Sequence, residues 1–350
     1  MNGSKAVPGL LLTPSLPGTV KQTPAPKGGL MHSTPPPSWP PLTVALDDPN
    51  NGARALVDRL LTGGDLRGVQ REYRSSLAPL QVDTRAANPG TVGTAVDMAL
   101  RFHIDPEPDL GLPARGAAVC GPVAFGLLTE LMNQFGGRLD PLSLSDTAAS
   151  AVKAPLSGPE HEVADLARTC WVLALFVEVY RAGLLPGSPL IDYLKRRRPT
   201  AEGLLAVASV DAIAEVADLI TLAQEQLLIP LASAPQPWHV GPRFAGSQWM
   251  KADADFIAGG ALVEVKTNLG DKNPRGVRAA SLKMESVRQV LGYVLHDYDD
   301  VYRIDEIGVY QARYGTLTRW PLQALLDRLA GRSVDLATER RLWQQLLQRG

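Results

Sequence analysis

Residues 252–267 bring together side chains whose types and spacing suit metal-ion chemistry. The stretch reads ADADFIAGGALVEVKT, and its ionisable members are Asp253, Asp255, Glu264 and Lys266. Three carboxylates this close together would repel one another unless a cation lay between them. Oxygen ligands suit Mg²⁺ or Mn²⁺ better than zinc, which prefers nitrogen and sulfur. Such an ion can activate a water molecule and neutralise charge on a phosphodiester. The lysine would orient or help to deprotonate that water, or stabilise the pentavalent phosphate.

A β-hairpin is the element that would position these side chains. The glycine pair at 259–260 suits the positive φ angles of a two-residue turn. Continued pairing would set Asp255 opposite Glu264 and Asp253 opposite Lys266. Because side chains alternate along a strand, all four would share one face. The other face, which could pack against a helix, would hold Ala254, Phe256, Val263 and Val265. The alternative is a surface hairpin whose acids and lysine only pair across the strands.

Two predicted helices carry further polar residues at helical spacing. The segment QVLGY places Gln289 and Tyr293 one turn apart on one face. Upstream, VGTAVDMALRF has Asp97 four residues after Gly93. Residues exposed on a helix surface are the alternative interpretation of both patterns.

These motifs together resemble the PD-(D/E)XK nuclease superfamily. Its signature, an upstream acid followed by Glu-x-Lys on a hairpin, is matched by Asp253 or Asp255 with Glu264 and Lys266. QVLGY is similar to the Gln-x-x-x-Tyr motif of the RecB-like branch. The segment 90–103 is similar to the upstream helix of that branch, which usually carries histidine where this chain has Asp97.

The resemblance implies a fold, a cofactor and roles for named residues. The fold would be α/β, with a restriction-endonuclease-like mixed β-sheet flanked by helices and a large, mainly helical N-terminal region. Mg²⁺ or Mn²⁺ would be held by one or both aspartates of the hairpin with Glu264, and Asp97 would be a further acid at the metal site. Lys266 would assist the attacking water, and Gln289 and Tyr293 would support the site. The implied activity is metal-dependent hydrolysis of DNA. The competing hypothesis is a nucleic-acid-binding or scaffold protein that keeps this fold without turnover.

A basic segment follows the hairpin and is the predicted contact surface for the DNA backbone. It reads KTNLGDKNPRGVRAASLK, and the predicted contact residues are Lys272, Arg275, Arg278 and Lys283. A second basic run, LKRRRP at 194–199, favours solvated charge at a helix end, with DNA contact as the alternative.

Composition sets the broader expectations. The 350 residues are 45% hydrophobic and 20% charged with a formal net charge of −1, so the chain can bury a core and is not a polycation. Two cysteines, and no apolar run near the roughly 20 residues that span a bilayer, favour a cytoplasmic protein without a membrane partner. Residues 1–45 are expected to be a disordered proline-rich arm that could dock a protein partner. Residues 46–235 should be mainly helical, with 90–103 belonging to the nuclease-like core. Residues 236–350 should form the rest of that core and a helical tail.

Overall fold

A five-stranded mixed sheet with helices on both faces is the centre of the computed structural model. The residues described are 39–85, 88–105, 108–134, 163–235, 237–272, 274 and 276–349. The expected α/β class with a helix-flanked mixed sheet is confirmed at this level.

The helices are numbered in chain order. The N-terminal ones are α1 (Leu42–Asp47), α2 (Gly52–Asp58), α3 (Leu66–Ser76), α4 (Pro89–Ile104), α5 (Gly111–Cys120) and α6 (Pro122–Gln134). After these come α7 (Val163–Ala182), α8 (Pro189–Leu194), α9 (Ala201–Leu205), α10 (Val210–Ala223) and α11 (Ile229–Leu231). The C-terminal part holds α12 (Met284–His296), α13 (Leu322–Ala330) and α14 (Leu336–Arg349).

Two helical stretches of the N-terminal region are interrupted by local backbone chemistry. Gly121 takes a φ of 106°, a left-handed conformation that ends α5, and Pro122 opens α6. Between α9 and α10, Ser209 adopts an extended conformation and its side chain accepts a hydrogen bond from the amide of Ala212. A serine cap of this kind begins a new helix.

The strands of the described residues form the main sheet and one small separate ribbon. They are β1 (His239–Val240), β2 (Phe256–Ala258), β3 (Ala261–Lys266), β4 (Asp271–Lys272), β5 (Arg278–Ala279), β6 (Glu306–Gln311) and β7 (Thr316–Pro321). The main sheet has the order β1-β2-β3-β6-β7, and β4 and β5 form a separate ribbon. Only β3 and β6 pair in parallel within the main sheet, because α12 carries the chain back between them.

The expected hairpin forms, but its pairing is shorter than predicted. Ala258 pairs with Ala261 across the glycine pair, whose φ angles are 57° and 89°. Regular pairing stops at Phe256, so the predicted partners Asp255–Glu264 and Asp253–Lys266 are wrong as strand neighbours. Asp255 instead accepts a hydrogen bond through Oδ2 from the amide of Val265, at 2.6 Å. A side chain has replaced the backbone as the partner of β3.

Alternation along the hairpin assigns its residues to two hydrophobic clusters. Val263 and Phe256 pack with the layer built from α4 to α11, whereas Leu262 packs with the opposite layer. Ala254 was expected on the face of Phe256, but it packs in the opposite cluster. The reason is that the chain has left the sheet before Phe256, so strand alternation no longer applies.

One helical layer combines helices from the N-terminal and C-terminal parts of the described residues. Helices α1 to α3 pack with α12 to α14 on one face of the sheet. Within the segment expected to be an arm over 1–45, α1 begins at Leu42, whose side chain is buried. Residues 1–38, which include the proline-rich docking sequence, lie outside the described residues. Across the described ranges, no helix is long and apolar enough to cross a membrane.

Candidate active site

The end of β3 carries a buried acid and a lysine in direct contact. Glu264 is 4% exposed, and Lys266 Nζ lies 2.7 Å from its Oε1. Both side chains project from β3 toward α12, since residues 262, 264 and 266 share one face of the strand. Lys266 Nζ also donates to Gln289 Oε1 at 3.1 Å. The lysine is therefore held between strand and helix.

Helix α12 continues this contact into a chain of hydrogen bonds. Gln289 donates through Nε2 to the hydroxyl of Tyr293 at 2.6 Å, which requires the one-turn spacing seen in the sequence. The Tyr293 hydroxyl donates to the backbone carbonyl of Asp253 at 2.7 Å. The chain thus runs from Lys266 to the backbone of the segment that carries both aspartates. It fixes that segment against α12 although regular β pairing has ended.

Helix α4 brings an arginine that the sequence-based prediction missed. Arg101 Nε lies 3.0 Å from each carboxylate oxygen of Asp97, and its Nη2 lies 3.4 Å from Asp253 Oδ1. The Asp–Arg spacing of four residues in VGTAVDMALRF signals an ion pair on one helix face. Nothing in that spacing shows that the guanidinium also reaches Asp253.

Burial and mutual repulsion set the electrostatics of the acids. Burial raises the pKa of Asp255 well above its usual range, and the charges of Glu264 and Asp97 raise it further. The pKa of Glu264 is raised by burial against the opposing effect of Lys266. The pKa of Asp97 is likewise raised by burial, which outweighs Arg101. Perturbed carboxylates in one place are typical of functional sites.

The pKa values of the neighbouring lysine and arginine are raised as well, which favours the charged forms of these two side chains. Burial lowers the pKa of Lys266, but Glu264 and Asp255 together outweigh burial and hold that pKa above its usual range. The pKa of Arg101 is also raised, by Asp97, Asp253 and Asp255 against burial. Lys266 is therefore an ammonium at neutral pH in this arrangement. This favours orientation of water or stabilisation of phosphate charge over proton abstraction.

A divalent cation fits the donor chemistry of this cluster. Asp255 and Glu264 are carboxylates whose ionised forms are destabilised where they lie, and oxygen-ligated Mg²⁺ or Mn²⁺ would reverse that cost. The side chains do not stand as a ready ligand set: in the described part of the chain, no three His, Cys, Asp or Glu residues form a group that could hold a metal. Lys266 and Arg101 instead take positions beside the acids.

The cluster is open to solvent on one side. The side chains of Asp253, Asp97 and Lys266 are 44%, 21% and 21% exposed, whereas Glu264 lies beneath them at 6%. A substrate could therefore approach the aspartate and lysine with the buried glutamate as the floor.

The predicted DNA-contact residues that the structure describes lie in the β4–β5 ribbon and immediately before α12. Lys272 in β4 and Lys283, immediately before α12, are exposed. Arg278 in β5 is half-buried and donates through Nη1 to the carbonyl of Gly270 at 3.2 Å. Arg275 lies outside the described residues. Antiparallel pairing of Lys272 with Arg278 makes part of this basic segment a ribbon.

Comparisons with family models, with curated proteins and with solved structures found no match for this chain.

Proposed function

We propose that this protein is a metal-dependent nuclease of the PD-(D/E)XK type, with a restriction-endonuclease-like core, that hydrolyses phosphodiester bonds in DNA. One observation carries the proposal. Four acids and two cations lie together at the end of β3: Arg101 contacts Asp97 and Asp253, Lys266 contacts Glu264, and Asp255 accepts a hydrogen bond from the amide of Val265. Such a cluster costs free energy in a fold and needs a compensating role.

Each residue has a role in this proposal. Asp255 and Glu264 would hold Mg²⁺ or Mn²⁺, which supplies charge neutralisation and an acidic bound water. Lys266 donates hydrogen bonds from the mouth of the site, where it can orient the attacking water or stabilise charge on the phosphate. Gln289 and Tyr293 set the position of Lys266 and of the backbone at Asp253. The exposed Lys272 and Lys283 supply charges for the nucleic-acid backbone.

The site also supports a second candidate, a protein that binds nucleic acid without cleaving it. The observation in its favour is that Arg101 and Lys266 already pair with three of the four acids. A cluster neutralised in this way could persist as a structural feature.

Incubation with a panel of nucleic acids separates the two candidates. Linear and circular DNA, single- and double-stranded, and a matched RNA would each be incubated with Mg²⁺, Mn²⁺ or EDTA. The nuclease proposal expects cleavage of at least one DNA that needs the metal and stops with EDTA. Binding without cleavage under every condition would favour the non-catalytic candidate. Cleavage unaffected by EDTA would reject the metal role.

A further inference from the structure

A cavity of about 330 Å³ lies within the helical layer built from α4 to α11. Its walls come from the beginning of α4, the middle of α7, the connection between α7 and α8, and the beginning of α10. A volume of this size falls within the range of roughly 300–1,000 Å³ that is typical of small-molecule sites. Among the described residues that line it, none has a role in the nuclease proposal.

One wall of the cavity carries a carboxylate. Glu178 interrupts residues 171–179 of α7, where every other side chain is buried. The groups that contact it among the described residues are neutral: Thr91 donates through Oγ1 to its Oε2 at 3.3 Å, and Asn88 Nδ2 lies 3.5 Å from its Oε1. Both hydrogen bonds are long, so the carboxylate can still accept shorter ones from a ligand.

Local structure holds these two neutral donors in place. Asn88 is the N-cap of α4, and its Oδ1 accepts from the amides of Gly90 and Thr91 at 3.0 and 3.3 Å. This contact leaves the Nδ2 of Asn88 directed toward Glu178. Thr91 is 3% exposed, so its hydroxyl is fixed by the surrounding packing. The carboxylate therefore has a defined position relative to α4.

The other surfaces of the cavity are mostly apolar. Trp171 and Leu175 are 8% and 4% exposed, and they share one face of α7 with Glu178 because the spacings are four and three residues. Pro186 and Pro189 restrict the backbone of the connection that forms another wall. An apolar group could pack against Trp171 and Leu175 while a polar group attached to it contacts Glu178.

We propose that this cavity binds a small organic cation, in which an ammonium, amidinium or guanidinium group is attached to an apolar body. The cation donates charge-assisted hydrogen bonds to Glu178, which are shorter and stronger than those from Thr91 and Asn88. The apolar body packs against Trp171, whose indole ring also attracts cations. A neutral or anionic molecule of the same shape provides no countercharge for the carboxylate. This site is independent of the nuclease proposal, because it uses none of the same residues.

Calorimetric titration of the full chain with benzamidine, benzamide and benzoate tests the class of ligand. The three probes share a ring and nearly the same shape, but they are cationic, neutral and anionic at neutral pH. Benzamidine should bind at least about 10-fold more tightly than the other two, as expected for a hydrogen bond to a charged group. Equal affinities for benzamidine and benzamide, or no binding of benzamidine, would overturn the proposal.

Three variants test the location of the site. Glu178→Gln keeps the size of the side chain and removes its charge, so the affinity for benzamidine should fall by about 10-fold or more. Val207→Trp adds bulk to the wall of the cavity and should also weaken binding. Glu202→Gln is the matched control, since it alters an exposed glutamate on α9, and it should bind as wild type does.

Wild-type affinity in folded Glu178→Gln would show that benzamidine binds elsewhere and would overturn the proposal. Thermal melting checks that each variant is folded. If Glu178→Gln does not fold, Val207→Trp decides in its place, and unchanged affinity in that variant would reject the cavity as the site. DNA cleavage is measured separately, so neither result determines the outcome for the nuclease proposal.

Discussion

At the scale of single residues, the site is defined by ionisable groups whose charged forms are destabilised by burial. Glu264 is almost fully buried, and the cation that contacts it among the described residues is Lys266, which is itself shared with Gln289. Breaking a buried pair by removing one partner typically costs about 3–5 kcal/mol because a charge is left without compensation. The contacts of each charged side chain in this cluster therefore affect the stability of the fold.

The raised pKa values of Glu264 and Asp255 predict how stability depends on pH. Between the unfolded pKa of about 4 and the higher folded pKa, the folded state binds more protons, so stability falls as pH rises through that window. In EDTA, the fall in melting temperature from pH 5 to pH 8 should be smaller for Glu264→Gln than for wild type. Mg²⁺ should reduce the fall in wild type.

A matched variant separates this effect from titration elsewhere. Burial lowers the pKa of His296 to about 4 and raises that of Asp297 to about 7, and both groups are shared by all the proteins compared. Glu285→Gln alters an exposed glutamate at the start of α12 and should behave as wild type. The account would be contradicted if the melting temperatures of Glu264→Gln and Glu285→Gln fell by the same amount between pH 5 and pH 8 in EDTA.

At the scale of elements, the hairpin and α12 were predictable, whereas the end of the hairpin was not. The glycine pair signalled the turn, and the spacing of Gln289 and Tyr293 signalled a shared helix face. The early end of pairing at Phe256 could not be read from the sequence. It depends on Asp255 accepting from the amide of Val265 and on Tyr293 holding the carbonyl of Asp253, which are tertiary contacts without local signature.

If the proposed function holds, the charges of the β4–β5 ribbon should determine how strongly DNA binding depends on salt concentration. Each phosphate contact releases about 0.9 counterion, so neutralising Lys272, Arg275 and Lys283 should lower the log–log salt slope by roughly 2–3. Arg278 is left unchanged because it holds the turn at Gly270. Cleavage at saturating DNA should fall much less than affinity. Fluorescence anisotropy at several salt concentrations provides the measurement.

The basic run at 195–198 is the matched comparison for this experiment. Neutralising Arg196, Arg197 and Arg198 removes a similar charge from the segment after α8. It should leave the salt slope near the wild-type value. If that variant changes the salt slope and the ribbon variant does not, the contact surface for the DNA backbone lies at residues 195–198.

At the scale of the whole molecule, a buried ion pair joins the helical layer to the end of the sheet that carries the acidic cluster. Arg313, in the β6–β7 turn, and Glu215, in α10, are 1% and 0% exposed and contact each other directly. Arg313 also donates to the carbonyl of Thr267, the residue after Lys266. The sequence predicted a mainly helical region around Glu215 and placed Arg313 in the nuclease-like core, but no pattern indicated that this pair would connect them, since 98 residues separate its members.

Removing this pair should therefore destabilise the whole fold. Arg313→Met is expected to lower the free energy of unfolding by about 3–5 kcal/mol, because Glu215 would remain buried without its cation. Arg319→Met is the matched control, since Arg319 pairs with Glu306 at the surface and such pairs contribute about 1 kcal/mol or less. Urea unfolding measures both. Equal and small losses of unfolding free energy in the two variants would show that the buried pair contributes no more to stability than the surface pair.

The most direct test of the nuclease proposal is the single-turnover rate of DNA cleavage by Lys266→Met at saturating DNA and Mg²⁺. Because Lys266 contacts Glu264 and Gln289 at the open side of the cluster, its loss should slow cleavage by about 10²-fold or more while DNA affinity stays near that of wild type. Lys251→Met, which alters an exposed lysine, should cleave at the wild-type rate. Equal rates for Lys266→Met and wild type would contradict the assignment of this cluster as the catalytic centre.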